Sequence, residues 1–331
     1  MEFSELIINK LRAIDSKIAK TILENYEDLS GTFDYVNVGS RKDLVSFLPA
    51  NKDSDDEWTD FRNEIKIGRF VRQIVGFIND ELDEDINIKD KELEDFVNKY
   101  KVASSGDNYK FKIVEGEEIR AWYLGDDYAE GDGSLNDSCM RGEEENEFLT
   151  IYAKNKSKIK LLILKDRKSD ELLGRALLWE LDKSPSPTKT FMDRIYVSEE
   201  YLFELFRQKA EAEGWMYKSA QSNDLERGQE FLHLGKKYRG KIKIKLDRFT
   251  FDTYPYLDSL PFFNKDNGTL QNRGFKNALV LRSVEGDGND KCCCCGGSFV
   301  FECNYCSEGN RSGCPHCNGT GEQNCGECNF N

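Results

Sequence analysis

Apolar side chains recur three or four positions apart at Phe3, Ile7, Leu11, Ile14, Ile18 and Ile22, the stripe of a helix that buries one face. The spacing predicts a helix over 3–24. The same period at Trp58, Phe61, Ile65, Val71, Ile74 and Phe77 predicts a second helix from Asp56 to about Ile78. Leu93, Phe96, Val97 and Tyr100 mark a third. Between the first two, Gly31, Gly39 and Pro49 interrupt short apolar runs such as Leu44–Leu48, a turn-rich stretch. Residues 1–104 read as a helical N-terminal region, followed by the linker chemistry of Ser104-Ser105-Gly106-Asp107-Asn108.

The period then changes. Tyr109, Phe111 and Ile113 alternate with lysines, as in a half-buried strand. After the acidic, glycine-bearing loop 125–136 comes a helical stretch around Phe148–Ala153. Three apolar runs of strand length follow, Ile159–Leu164, Leu172–Leu181 and Thr190–Val197. Asp166–Asp170 and Ser184-Pro185-Ser186-Pro187 separate them with turn residues. Connections this short favour antiparallel neighbours. Glu199–Glu213 reads as a helix, and Trp215–Lys218, Lys241–Leu246 and Ala278–Arg282 as further strands. Residues 105–287 are therefore expected to form an α+β domain around a mainly antiparallel sheet.

Composition narrows the classes. The 331 residues are 38% hydrophobic and 33% charged, enough to bury a core. No apolar run approaches the roughly 20 residues of a membrane span, and the N-terminus lacks the basic-then-apolar order of a signal peptide. A cytoplasmic protein with no membrane association is expected. The net charge of −14 repels nucleic acid unless a basic patch is segregated, and favours a protein or cationic partner. The basic stretch is Lys236–Lys245, and a solvated lysine face explains it without nucleic acid.

Chemistry concentrates at the C-terminus. Ten of the eleven cysteines fall within Cys292–Cys328. Cys292/Cys295, Cys303/Cys306, Cys314/Cys317 and Cys325/Cys328 are four CxxC pairs, each starting eleven residues after the last. A CxxC turn sets two thiolates on one side of a tetrahedral zinc site, so eight ligands predict two closed, structural Zn²⁺ sites in a module over 288–331. The segment has few apolar residues, so metal binding would supply its folding free energy, on the order of 10 kcal/mol per ion. Cys293 and Cys294 can each replace a neighbour as ligand. Disulfide, redox and iron–sulfur readings of the pairs stay open.

Cys314-Pro315-His316-Cys317-Asn318-Gly319-Thr320-Gly321 resembles the CxxCxGxG repeat of the cysteine-rich zinc domain of DnaJ-type co-chaperones, as do four tandem pairs at this spacing. The resemblance covers about residues 292–328. It implies that Cys292, Cys295, Cys325 and Cys328 hold one zinc, and Cys303, Cys306, Cys314 and Cys317 the other; sequential pairing is the alternative. No His-Pro-Asp motif occurs, so co-chaperone activity does not follow. Ser138-Cys139-Met140-Arg141, Gly174–Trp179 and Met192–Tyr196 are similar to segments of uncharacterised proteins of large bacteriophages, which would make the location a host cytoplasm.

In the body, Cys139 reads first as a small buried hydrophobe. The available base for it is His233, since His316 lies inside a CxxC pair. Asp193 and Arg194 are adjacent in an apolar strand, where neighbours point to opposite faces; Arg175 and Glu180 in the preceding strand are candidate ion-pair partners. No complete catalytic set emerges. The expectation is a zinc-binding interaction protein, with a protein partner. One alternative is an enzyme whose site surrounds Cys139, Arg175, Asp193 and Arg194; another is zinc-assisted nucleic-acid binding.

Overall fold

The computed structural model describes residues 1–30, 33–49, 62–105, 108–142, 146–221, 229–275, 277–281, 300–302 and 322–324. The fold is mixed α+β, with mostly antiparallel strands. The chain divides into two compact units, Met1–Tyr109 with Glu200–Leu205, and Lys110–Glu199 with the chain from Phe206 on. No described helix is long and apolar enough to cross a membrane.

In the N-terminal unit the first apolar stripe is split between two helices, α1 (Glu5–Arg12) and α2 (Lys17–Asn25). The break has a local cause. The Ser16 side chain accepts a hydrogen bond from the Ile18 amide at 3.2 Å and starts a new helix. Both helices still bury the stripe, with Ile7 and Ile22 fully inaccessible. The turn-rich stretch is a three-stranded antiparallel sheet, β1 (Phe33–Val38), β2 (Leu44–Pro49) and β3 (Asn63–Lys66), in that order. The helical reading of this unit is corrected accordingly, since the segment from Asn63 expected as helix is strand up to Lys66. Helix α3 (Ile67–Leu82) begins only after it and buries Ile67, Phe70, Val71, Ile74, Val75 and Ile78. It stops at Asp83 in the left-handed conformation, φ 54°. Helix α4 (Asp90–Ser105) closes the core with Leu93, Phe96 and Tyr100.

The second unit is built on a seven-stranded sheet. Its strands are β4 (Tyr109–Glu115), β5 (Ile159–Asp166), β6 (Leu172–Glu180), β7 (Thr190–Val197), β8 (Met216–Lys218), β9 (Glu230–His233) and β10 (Lys236–Arg239). They lie side by side in reverse sequence order from β10 to β4. Strands β5, β6 and β7 pair antiparallel. Helix α7 (Phe203–Ala212) makes the crossover that leaves β8 parallel to β7. The central strands are apolar almost throughout because both faces are covered. On one face Gly174 admits the Phe206 ring, and a Cβ there would come within 2.9 Å of it.

The other face of this sheet packs on α5 (Glu118–Tyr123), α6 (Thr150–Lys154) and a four-stranded sheet. That sheet runs β11 (Lys243–Lys245), β13 (Thr269–Gln271), β12 (Phe262–Asn264), β14 (Leu279–Val280). A last antiparallel ladder joins β15 (Val300–Glu302) to β16 (Glu322–Asn324). The ten clustered cysteines lie outside the described residues.

Candidate functional site

The sequence candidates of the body converge on one face of the large sheet. In β6, alternation puts Arg175, Leu177 and Trp179 on a common side. Register then matters. Trp179 pairs with Phe191 and Leu178 with Met192, while Ala176 pairs with Ile195 and Arg175 with Tyr196. Leu177 alone therefore faces both Asp193 and Arg194, a β-bulge. The bulge overturns the expectation that these neighbours point apart: both side chains reach the same adjoining dipeptide, Asp258-Ser259. The Arg194 guanidinium pairs with Asp258 at 3.1 Å, and the Ser259 hydroxyl donates to the Asp193 carboxylate. The amides freed by the bulge are also used. Arg194 N donates to Asp193 Oδ1 at 2.7 Å, and Ile195 N to Gln221 Oε1 at 2.8 Å.

Asp193 is 4% exposed and also accepts from Trp179 Nε1 at 3.0 Å. Burial raises its pKa above the ordinary carboxylate value; the nearby Lys218 ammonium opposes the rise and the Asp258 charge adds to it. Asp258 takes the Tyr196 hydroxyl at 2.9 Å on its second oxygen. Arg175, 1% exposed, donates from Nε to the Tyr128 hydroxyl at 3.0 Å and from Nη2 to Ser138 Oγ at 2.8 Å. Its guanidinium lies 3.6 Å from the Tyr123 ring centroid and 5.0 Å from that of Tyr196, cation–π contacts that partly replace a counter-ion. Burial pushes the Tyr123 hydroxyl up to about 12 and raises those of Tyr152 and Tyr196 as well.

Ser138 reaches Arg175 because of how its loop is pinned. Gly133 N and Leu135 N donate to Ser198 O and Val197 O at 2.8 and 2.9 Å. Backbone approaches backbone so closely there that a Cβ on Gly133 would sit 2.2 Å from Val197 O. Ser138 turns inward, and Cys139 is left exposed. The reading of Cys139 as a buried hydrophobe is thus reversed.

His233 lies in β9, three strands from β6 or about 14 Å, and its ring is 6.1 Å from that of Tyr238. Glu180 also stands apart, exposed and bound by Thr190 Oγ1 at 3.1 Å.

Sequence reasoning grouped Arg175, Asp193 and Arg194. It missed Tyr123, Tyr128, Tyr196, Asp258 and Ser259, which complete the network. The basic stretch begins in the edge strand β10, where Lys237 and Arg239 both engage Glu230, at 2.9 and 3.2 Å. Among the described residues no three His, Cys, Asp or Glu side chains are grouped to hold a metal ion. The eight CxxC cysteines fall outside them.

Compared with protein-family models, with characterised proteins and with solved structures, the chain matches none.

Proposed function

We propose that the chain is a zinc-stabilised interaction protein, whose C-terminal cysteine module holds two structural Zn²⁺ ions and contacts a protein partner. The observation that carries this reading is that the buried charged candidates of the body are bonded within the chain. Both oxygens of Asp193 and both of Asp258 accept hydrogen bonds from within the chain, and Arg175 is spent on Tyr128 and Ser138. Groups satisfied in this way specify a core and leave little to engage a substrate. Of the residues named for the enzyme alternative, Arg175, Asp193 and Arg194 are engaged within the chain, and Cys139 stays exposed.

The module rests on the chemistry of its donors: eight thiolates in four evenly spaced CxxC pairs match two tetrahedral S₄ sites. The β15–β16 ladder supports the grouping that the co-chaperone resemblance implies. The second and third pairs lie within the stretch 303–321 that the ladder closes, and the first and fourth lie outside it. Such a module uses the metal as a fold determinant, since a closed site has no open position for a substrate.

Native mass spectrometry with elemental analysis of the full chain, purified without added metal, tests the reading. Two zincs per chain are expected. The doubly substituted Cys314→Ser/Cys317→Ser chain should lose one of them together with partner capture. Zero zinc, bound iron, or full partner capture by the variant would overturn the proposal.

A further inference from the structure

The N-terminal unit has a feature that the zinc module does not explain. Between α2, α3, α4 and the connection 83–89 lies a cavity of about 250 Å³. Its floor is apolar, built by Ile18, Val75, Ile86 and Ile88. The volume falls below the roughly 300–1,000 Å³ of sites for drug-sized molecules, and suits one or two aliphatic side chains.

The rim is acidic. Asp15, Glu92 and Asp95 line it together with Lys17. From Asp80 to Asp95 the chain carries nine carboxylates against Lys89 and Lys91. Some are engaged: Arg72 holds Asp90 at 2.6 Å, Lys99 holds Asp95 at 2.9 Å and Lys20 meets Asp15 at 3.4 Å. Glu81 accepts from Ser30, and Glu92 accepts the Lys89 amide at 3.1 Å. Asp83, Glu84, Asp85 and Glu94 are exposed and make no ion pair among the described residues. An apolar socket beside an excess of uncompensated carboxylates attracts and orients a cation-bearing chain.

We infer that this cavity docks a basic, apolar segment of a partner protein. One aliphatic side chain fills the socket, and flanking Lys or Arg side chains meet the carboxylates of the 83–95 stretch. The inference deepens the interaction-protein reading and places a contact in the N-terminal unit, independent of the zinc module.

The test uses the full chain and a random dodecapeptide display library, counter-selected against Thr21→Phe. Thr21 lines the cavity and is half-buried, so a phenyl ring there occupies the socket. Enriched peptides should carry a net positive charge and an aliphatic residue, and bind the wild type at least about tenfold more tightly than Thr21→Phe. Their affinity should fall with salt, and fall less steeply for the exposed-loop variant Glu84→Gln/Asp85→Asn. Enrichment of acidic peptides, no enrichment, or equal binding to Thr21→Phe would overturn the inference. The Cys314→Ser/Cys317→Ser chain separates the two readings: peptide binding should survive there. Cavity binding with zinc-independent partner capture would sink the module reading alone; zinc-dependent capture without cavity binding would sink this one alone.

Discussion

The interiors of the two units are built on different terms. That of the N-terminal unit holds no buried charged side chain among the described residues and is mainly aliphatic and aromatic, with the Phe70 ring packed 5.2 Å from Phe33 and 6.0 Å from Phe3. The second unit buries Arg175, Asp193 and Lys218 beside Trp179 and three tyrosines. Apolar interiors are specified mainly by volume and tolerate similar shapes. Polar interiors depend on partners, because a buried group that loses its partner keeps its full desolvation cost. The comparison teaches that the same sequence of physical rules yields a forgiving core in one unit and an exacting one in the other.

Volume-matched substitutions break the comparison most sharply. Arg175→Met keeps an unbranched apolar stem and removes the donors to Tyr128 and Ser138, so a loss of about 3 kcal/mol or more is expected. Arg175→Lys should not rescue it, since an ammonium cannot reproduce the planar fork stacked on Tyr123. Phe70→Leu in the other core should cost only about 1 kcal/mol. Hydrogen-exchange mass spectrometry reads each locally, in peptides from β5–β7 and from α3. Equal tolerance at the two sites would mean that the polar network specifies nothing.

Alkaline titration probes the buried tyrosines of the second unit. Tyr123 ionises at about 12 in the native state and near 10 in the unfolded chain. Below pH 10 both states hold the proton and nothing is lost. Between about 10 and 12 the unfolded state sheds it first, so stability falls as pH rises, by on the order of 3 kcal/mol for this residue. Tyr152 and Tyr196 are shifted in the same direction and steepen the loss. Trp122, Trp179 and Trp215 all lie in the second unit, so urea unfolding by tryptophan fluorescence in a Trp58→Phe background follows it. Tyr123→Phe should remove its share of the alkaline loss; an unchanged slope would show that burial does not hold this proton.

How much was legible follows from the range of the forces. The stripes of α1, α2 and α4 and the apolar runs of β5–β7 are local patterns, and the sequence reading located them. The split between α1 and α2 turned on a single capping serine. The short strands β1–β3 carry no clean alternation, so the turn residues around them dominated. The grouping of Arg175, Asp193 and Arg194 was readable from their being charged in apolar strands. Their arrangement was not, because the bulge exists only in register with β6, and Asp258-Ser259 arrives from a stretch with no periodic signal. The hairpin joining β9 to β10 turns at Leu234-Gly235, both at positive φ. Only the glycine announces such a turn.

The surface of the second unit supplies the mildest case. Lys237 and Arg239 are about three-quarters exposed and share Glu230 on the neighbouring strand. Pairs so exposed are screened and entropically costly to hold, so they add little to stability. Their position on the edge strand β10 gives them another effect: charge on an open edge opposes strand-to-strand association. Lys237→Thr/Arg239→Thr should leave the thermal midpoint within about 2 °C of the wild type. It should also raise the concentration-dependent association seen by light scattering. A large fall in the midpoint without association would mean that the pairs hold the β9–β10 hairpin in place, and that this surface is as exacting as the interior beneath it.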